Sequence, residues 1–208
     1  MLKIYTLPLG DYMTNCYIVH EASSKTCALV DPGYEPRTIL RALDQLGLTV
    51  DAILLTHGHF DHVGAVEPLV EATGCKLWRS ESDWSQFPSP VINHYFPLAN
   101  CDFCEVQFCE DNEIIHAGGL TFTALSTPGH TTGSMCFICE NALFSGDTLF
   151  ARSCGRTDLP GGDWDTIQDS LRRLAELDGD YTVLPGHGEA STLERERRLN
   201  PYMSFKRL

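Results

Sequence analysis

Directly after a short apolar run, Ala52-Ile53-Leu54-Leu55, the chain reads Thr56-His57-Gly58-His59-Phe60-Asp61-His62, which sets three imidazoles and a carboxylate within six positions. Histidine is the commonest protein ligand for transition metals near neutral pH. Side chains at i, i+2, i+4 and i+5 of an irregular turn can face two sides of one loop, so such a turn could serve two ions. The competing reading is a histidine-rich surface loop, and the rest of the chain weighs against it.

Three further segments repeat one design. Leu125-Ser126-Thr127-Pro128-Gly129-His130 ends a β-like run with a Pro-Gly turn and a histidine, and Ala142-Leu143-Phe144-Ser145-Gly146-Asp147 ends another with an aspartate. Tyr181-Thr182-Val183-Leu184-Pro185-Gly186-His187-Gly188 supplies a third. Each is a short apolar strand, a turn residue with a permissive backbone and then a metal-competent side chain. Strand ends on one edge of a sheet meet in space, so the groups are expected to converge. Any one of them alone would read as a turn or cap; four sites that together supply seven ligand side chains do not arise easily by accident.

These residues resemble the signature of the metallo-β-lactamase superfamily, H-x-H-x-D-H followed downstream by single His, Asp and His ligands, and the likeness spans nearly the whole chain. The resemblance implies an α/β fold, a four-layer αββα sandwich. It also implies that His57, His59 and His130 hold a first metal, that Asp61, His62 and His187 hold a second, and that Asp147 bridges them. Aspartate at 147 looks like the hydrolase branches that contain glyoxalase II, where many β-lactamases carry cysteine. Histidine at 59, where the flavodiiron branch has glutamate, argues against a redox di-iron site. Phe144 to Phe150 leading into Cys154-Gly155-Arg156-Thr157-Asp158, and the tail Pro185 to Leu193 with Asn200-Pro201-Tyr202, look like the short glyoxalase II-like hydrolases. About twenty residues follow His187, fewer than the glutathione-gripping domain of full-length glyoxalase II would need.

The implied chemistry is hydrolysis. Two divalent cations, expected to be zinc with iron or manganese also fitting, can share a water and lower its pKa toward about 7. The hydroxide then attacks a carbonyl, and a thiolate leaving group suits zinc. The expected substrate is a small acyl thioester such as S-lactoylglutathione. A lactonase or other esterase, and a persulfide dioxygenase with one iron on His57, His59 and His130, are the alternatives. Asp61 is read as a ligand, with orientation of the hydroxide as a second role. Asp31, in Val30-Asp31-Pro32-Gly33, is either a turn former or the acceptor for a ligand histidine's second nitrogen. Arg156 and Asp158 read as an ion pair shaping the Gly-rich loop, with a substrate-facing pair as the alternative, and His20, His94 and His116 match no ligand position.

With 208 residues, 43% of them hydrophobic, the chain is long enough for one core and short for two, so residues 1–208 are read as a single domain. A formal net charge of −13 argues against nucleic acid as a partner. The N-terminus carries no signal-like apolar stretch, and no segment approaches the roughly 18 apolar residues of a membrane span. A soluble, cytoplasmic protein is expected. Nine cysteines, an odd number, fit a reducing compartment. The pairs Cys101/Cys104 and Cys136/Cys139 look superficially like a zinc ribbon, but residues three apart on a strand point to opposite faces. A local role for Cys101, Cys104 and Cys109 stays open.

The elements that must position these groups follow from periodicity. Strands are expected at about 2–8, 15–20, 26–30 and 51–55, and again near 113–117, 120–126, 134–139, 142–146 and 181–184. Ile39, Leu40, Leu43 and Leu46 mark a helix stopped by Gly47. Residues 63–73 read as another, and Trp164, Ile167, Leu171 and Leu174 stripe a third. Glu194 to Arg198 mixes signs like a solvated helix face, and residues 87–104 are a turn-rich stretch that could flank the site.

Overall fold

Strands β1 (Leu2–Leu9), β2 (Thr14–Glu21) and β3 (Thr26–Val30) pair antiparallel, and β4 (Thr49–Leu54), β5 (Lys76–Arg79) and β6 (Val106–Phe108) extend the same sheet in parallel. The computed structural model describes residues 1–85, 95, 104 and 106–204. A second sheet begins as a meander of β7 (Ile114–Ala117), β8 (Leu120–Ser126), β9 (Met135–Cys139) and β10 (Ala142–Gly146). After a small hairpin of β11 (Leu149–Phe150) and β12 (Ser153–Cys154), β13 (Thr182–Pro185) adds parallel to β10, and β14 (Ser191–Thr192) closes the edge. Helices α1 (Pro36–Leu46), α2 (Phe60–Val63), α3 (Val66–Thr73), α4 (Ser82–Ser85), α5 (Trp164–Ala175) and α6 (Leu193–Leu199) fill the connections.

Alternation along the strands builds four layers. In β2, Tyr17 and Val19 face the second sheet while Cys16 and Ile18 face helices, and the same split separates Ala28 and Val30 from Cys27 and Leu29 in β3. Phe122, Phe137 and Phe144 answer from the second sheet to form the middle core. Ile39 and Leu43 of α1 with Val66 and Leu69 of α3 cover one outer face, and Ile167, Leu171 and Leu174 of α5 cover the other. Each such fully buried aliphatic side chain stabilises the fold by about 1.5–3 kcal/mol. The αββα arrangement implied by the motif is therefore the observed one.

Several local readings change. The 63–73 helix is two pieces, α2 and α3, interrupted at Gly64 and Ala65, and it starts early enough to carry Asp61 and His62 on its first turn. Gly64 permits this, because a Cβ there would lie 2.4 Å from the carbonyl of Gly33. Trp164 is exposed, and the α5 stripe is Ile167, Leu171 and Leu174. Glu196 is fully buried, so α6 is not a solvated face throughout. Cys136 packs in the α5 layer and Cys139 in the middle core, as strand geometry requires, while Cys104 packs on the α1 layer. Cys101 and His94 lie outside the described residues, as does most of the 87–104 stretch. Among the described residues no helix is long and apolar enough to cross a membrane.

Candidate metal centre

The seven predicted groups converge, but from two sheets rather than along one edge. The turn after β4 belongs to the first sheet; His130, Asp147 and His187 follow β8, β10 and β13 of the second. Thr56 joins the two, since its carbonyl accepts the Met135 N–H at 2.7 Å. Close packing needs glycine here. A Cβ on Gly146, whose φ is +48°, would meet the Thr56 side chain at 2.4 Å, and one on Gly186 would lie 2.2 Å from Asp147 Oδ1.

Ligand atoms of His57, His59 and His130 lie within 4.8 Å of one another, as do those of Asp61, His62 and His187, and those of His57, His62 and Asp147. His59 Nδ1 and His130 Nε2 are 3.0 Å apart. On the other side His62 Nε2 is 3.3 Å from His187 Nε2, which is 3.2 Å from Asp61 Oδ2. Asp147 stands between, with Oδ1 3.4 Å from His62 Nε2 and Oδ2 3.6 Å from both His130 Nε2 and His187 Nε2.

The far nitrogen of four rings is fixed by an acceptor, which aims the near lone pair inward. His62 Nδ1 meets Asp31 Oδ2 at 2.9 Å, His130 Nδ1 the carbonyl of Arg156 at 2.8 Å, and His187 Nδ1 the carbonyl of Tyr12 at 3.1 Å. The Thr56 hydroxyl donates to Asp31 Oδ2 at 2.6 Å, so it accepts from His57 Nδ1 at 3.1 Å. That leaves Nε2 of His57 buried and without a hydrogen-bond partner among the described residues, a costly state for a protein atom and a ready one for a metal ligand.

Electrostatics agree. Burial, with the neighbouring imidazoles, pushes His57 far below its ordinary pKa and His59 down to about 3, so both present neutral nitrogens. Burial would also lower His62, but Asp147 and Asp31 beside it carry it to about 9. Burial would raise Asp61, yet the bond from His187 and the charge of His62 hold it well below the usual carboxylate range. Three carboxylates around one imidazole attract a cation, and the donor set of imidazoles and carboxylates suits zinc, iron or manganese.

Residues 9–187 match the sequence family described as the metallo-beta-lactamase superfamily. The chain belongs to that superfamily. It is 36% identical to the hydroxyacylglutathione hydrolase GloC of Haemophilus influenzae over 99% of this chain and 100% of that one. It is 32% identical to PksB of Bacillus subtilis, described as a probable polyketide biosynthesis zinc-dependent hydrolase, over 83% of this chain and 72% of that one. The crystal structure of TTHA1623 in a di-iron-bound form superposes with a TM-score of 0.80 at 36% identity, covering 95% and 99% of the two chains.

In this member of the superfamily the centre opens into a cavity of about 600 Å³ whose walls include Tyr12, Phe60, Tyr95, Phe150 and Leu159. Arg156 also lines it and pairs bidentately with Asp158 at 2.7 Å, both side chains being exposed. The expected ion pair is present, and it stands at the cavity. His20 stacks on Tyr5 and His116 meets Thr121, so neither joins the centre. Two positions carried no signal in the sequence. Asn15 donates to the carbonyls of Pro185 and Gly188, pinning the turn of His187, and Asp83 anchors the turn of His57 and His59. Nothing in the types or spacing of those residues marks them; only the packing of distant loops does.

Proposed function

We propose that this metal-dependent hydrolase holds two divalent ions, expected to be zinc, and cleaves acyl thioesters such as S-lactoylglutathione. His57, His59 and His130 would take one ion, Asp61, His62 and His187 the other, with Asp147 serving both. The observation that carries this reading is the place of Asp147, whose two oxygens lie 3.4 to 3.6 Å from histidine nitrogens of both sets. When bound, such ions supply a water of lowered pKa as nucleophile and polarise the carbonyl under attack.

The protein's part is to hold and orient. Asp31, Thr56 and the carbonyls of Arg156 and Tyr12 keep the ligand rings in one tautomer and one direction. The aromatic side chains of Tyr12, Phe60, Tyr95 and Phe150 line the cavity and offer an apolar wall to a substrate. Thr14 Oγ1 reaches Asp61 Oδ2 at 3.3 Å, which holds that carboxylate toward His187. Cys154 lines the cavity, but burial pushes its thiol up to about 11, so it offers no thiolate at neutral pH. That supports water as the nucleophile. The thioester class rests on the likeness to GloC, and zinc on the donor set and the likeness to PksB. The described cysteines are free thiols, which supports a cytoplasmic setting.

Elemental analysis of protein purified without chelator, paired with a thioester assay, tests the reading. Close to two divalent ions per chain and chelator-sensitive hydrolysis are expected. A single iron with oxygen consumption on glutathione persulfide would replace the hydrolase with a dioxygenase.

A further inference from the structure

Strand β5 runs parallel to β4, so the helix that follows it, α4, arrives at the same end of the sheet as the turn carrying His57 and His59. Asp83 of α4 is fully buried there, and among the described residues no lysine, arginine or histidine pairs with it. Its carboxylate instead collects three donors. Oδ2 accepts the Gly58 N–H at 2.8 Å and the Thr131 hydroxyl at 3.0 Å, and Oδ1 accepts the Gly133 N–H at 2.6 Å. Gly58 sits between His57 and His59, and Thr131 directly follows His130. The fit is close: a Cβ on Gly133 would lie 2.7 Å from Asp83 Cγ.

We propose that Asp83 is a positioning residue that presets the three-histidine half of the centre, by tying the backbone of the His57–His59 turn to the loop of His130. It rests on the reading of those three histidines as one metal-binding set. The other half is held by different groups: Asp31 on His62, Tyr12 and Asn15 on the His187 turn, and Thr14 on Asp61. Losing Asp83 therefore acts on one ion and spares the other. A carboxylate is suited to the task because it only accepts, and all three groups facing it donate. Asparagine at this position keeps the size but turns an NH2 toward one of those donors.

The test is stepwise metal affinity. Folded metal-free protein is titrated with zinc against a chromophoric chelator, with the cobalt(II) absorption spectrum and the melting temperature of the metal-free form recorded alongside. Asp83→Asn is expected to weaken one ion about 10–100-fold, as loss of a ligand-orienting partner does, and to change that site's cobalt spectrum, while the second ion moves less than about threefold. Thr131→Val, which removes only one donor, should give a smaller effect on the same ion and keeps the variant series interpretable if Asp83→Asn folds poorly. Equal weakening of both ions with a lowered melting temperature would make Asp83 a general structural residue and overturn the proposal, as would affinities unchanged in both variants. A wild-type chain that takes up fewer than two ions would overturn the two-ion reading itself, a result distinct from either.

Discussion

Asp31 Oδ2 lies 2.9 Å from His62 Nδ1, on the side of the imidazole away from Asp61 and Asp147, whose oxygens stand 3.6 and 3.4 Å from Nε2. Asp31 is buried and also accepts the Thr56 N–H at 2.8 Å and the Thr56 hydroxyl. It adopts a positive φ of +50° as it enters the turn, and Gly33, two residues on, lets that turn press against the carbonyl of Asp61. Turn former and histidine acceptor are thus the same residue, because the sharp turn is what brings the carboxylate under the ring.

Asp31→Asn should therefore lower metal affinity or kcat/KM by about 10–100-fold without abolishing the fold, since the amide keeps a weaker contact to His62. Metal titration and steady-state kinetics on the same preparation check it. A change within twofold in both would mean that His62 is oriented by packing alone.

Replacing Asp147 by Ala should do more harm than replacing any one histidine. It removes a group that faces both histidine sets and, on the two-ion reading, would leave the charges of the ions less compensated. Turnover should fall by at least about a hundredfold, the upper end of what the loss of an outer partner costs. Retention of two ions with near-normal turnover would show that Asp147 does not bridge.

The seven side chains that converge were legible because metal chemistry restricts residue type and strand ends restrict place, so His57 through His62 and the three later turns stand out together. Of the groups that hold them, Asp31 was read as a histidine acceptor, but the rest were not legible. Asp83 and Asn15 act through backbone atoms of loops far away in sequence, and any residue type can supply a backbone N–H or carbonyl. Periodicity found the long strands and the α1 and α5 helices. It missed β5 and β6, of four and three residues, whose sequences, Lys76-Leu77-Trp78-Arg79 and Val106-Gln107-Phe108, offer no apolar run. The buried role of Glu196 was hidden by its charged neighbours on a helix of seven residues.

Glu196 yields a stability prediction. Its carboxylate accepts the Arg152 N–H at 2.6 Å, the Asn200 side-chain amide at 3.0 Å and the Ser191 hydroxyl, and Asn200 in turn donates to the carbonyls of Phe150 and Ser153. Those last residues line the cavity, so α6 fixes one wall of it. Glu196→Ala strands several buried donors at about 1 kcal/mol or more each, and should cost about 3 kcal/mol in urea unfolding. Arg198→Ala on the exposed side of α6 should stay within about 0.5 kcal/mol. Similar losses in the two variants would contradict the burial of Glu196.

Buried thiols set the alkaline limit. Burial pushes Cys27 and Cys109 up to about 12 and Cys136 up to about 11, whereas an unfolded cysteine ionises near about 8.5. Below about pH 8 these thiols are protonated in both states and contribute nothing to the pH dependence. Above about pH 9 the unfolded chain gives up their protons while the folded one keeps them, so unfolding becomes easier as pH rises. Each thiol removes up to about 1.4 kcal/mol of stability per pH unit until its folded pKa is reached. Urea unfolding at pH 8, 9 and 10 should show falling stability, with a shallower fall in Cys27→Ala, and the same thiols should resist alkylation at pH 8 in the folded protein. Equal stability at pH 8 and pH 10 would mean that these thiols ionise in place, which a dry apolar layer does not allow.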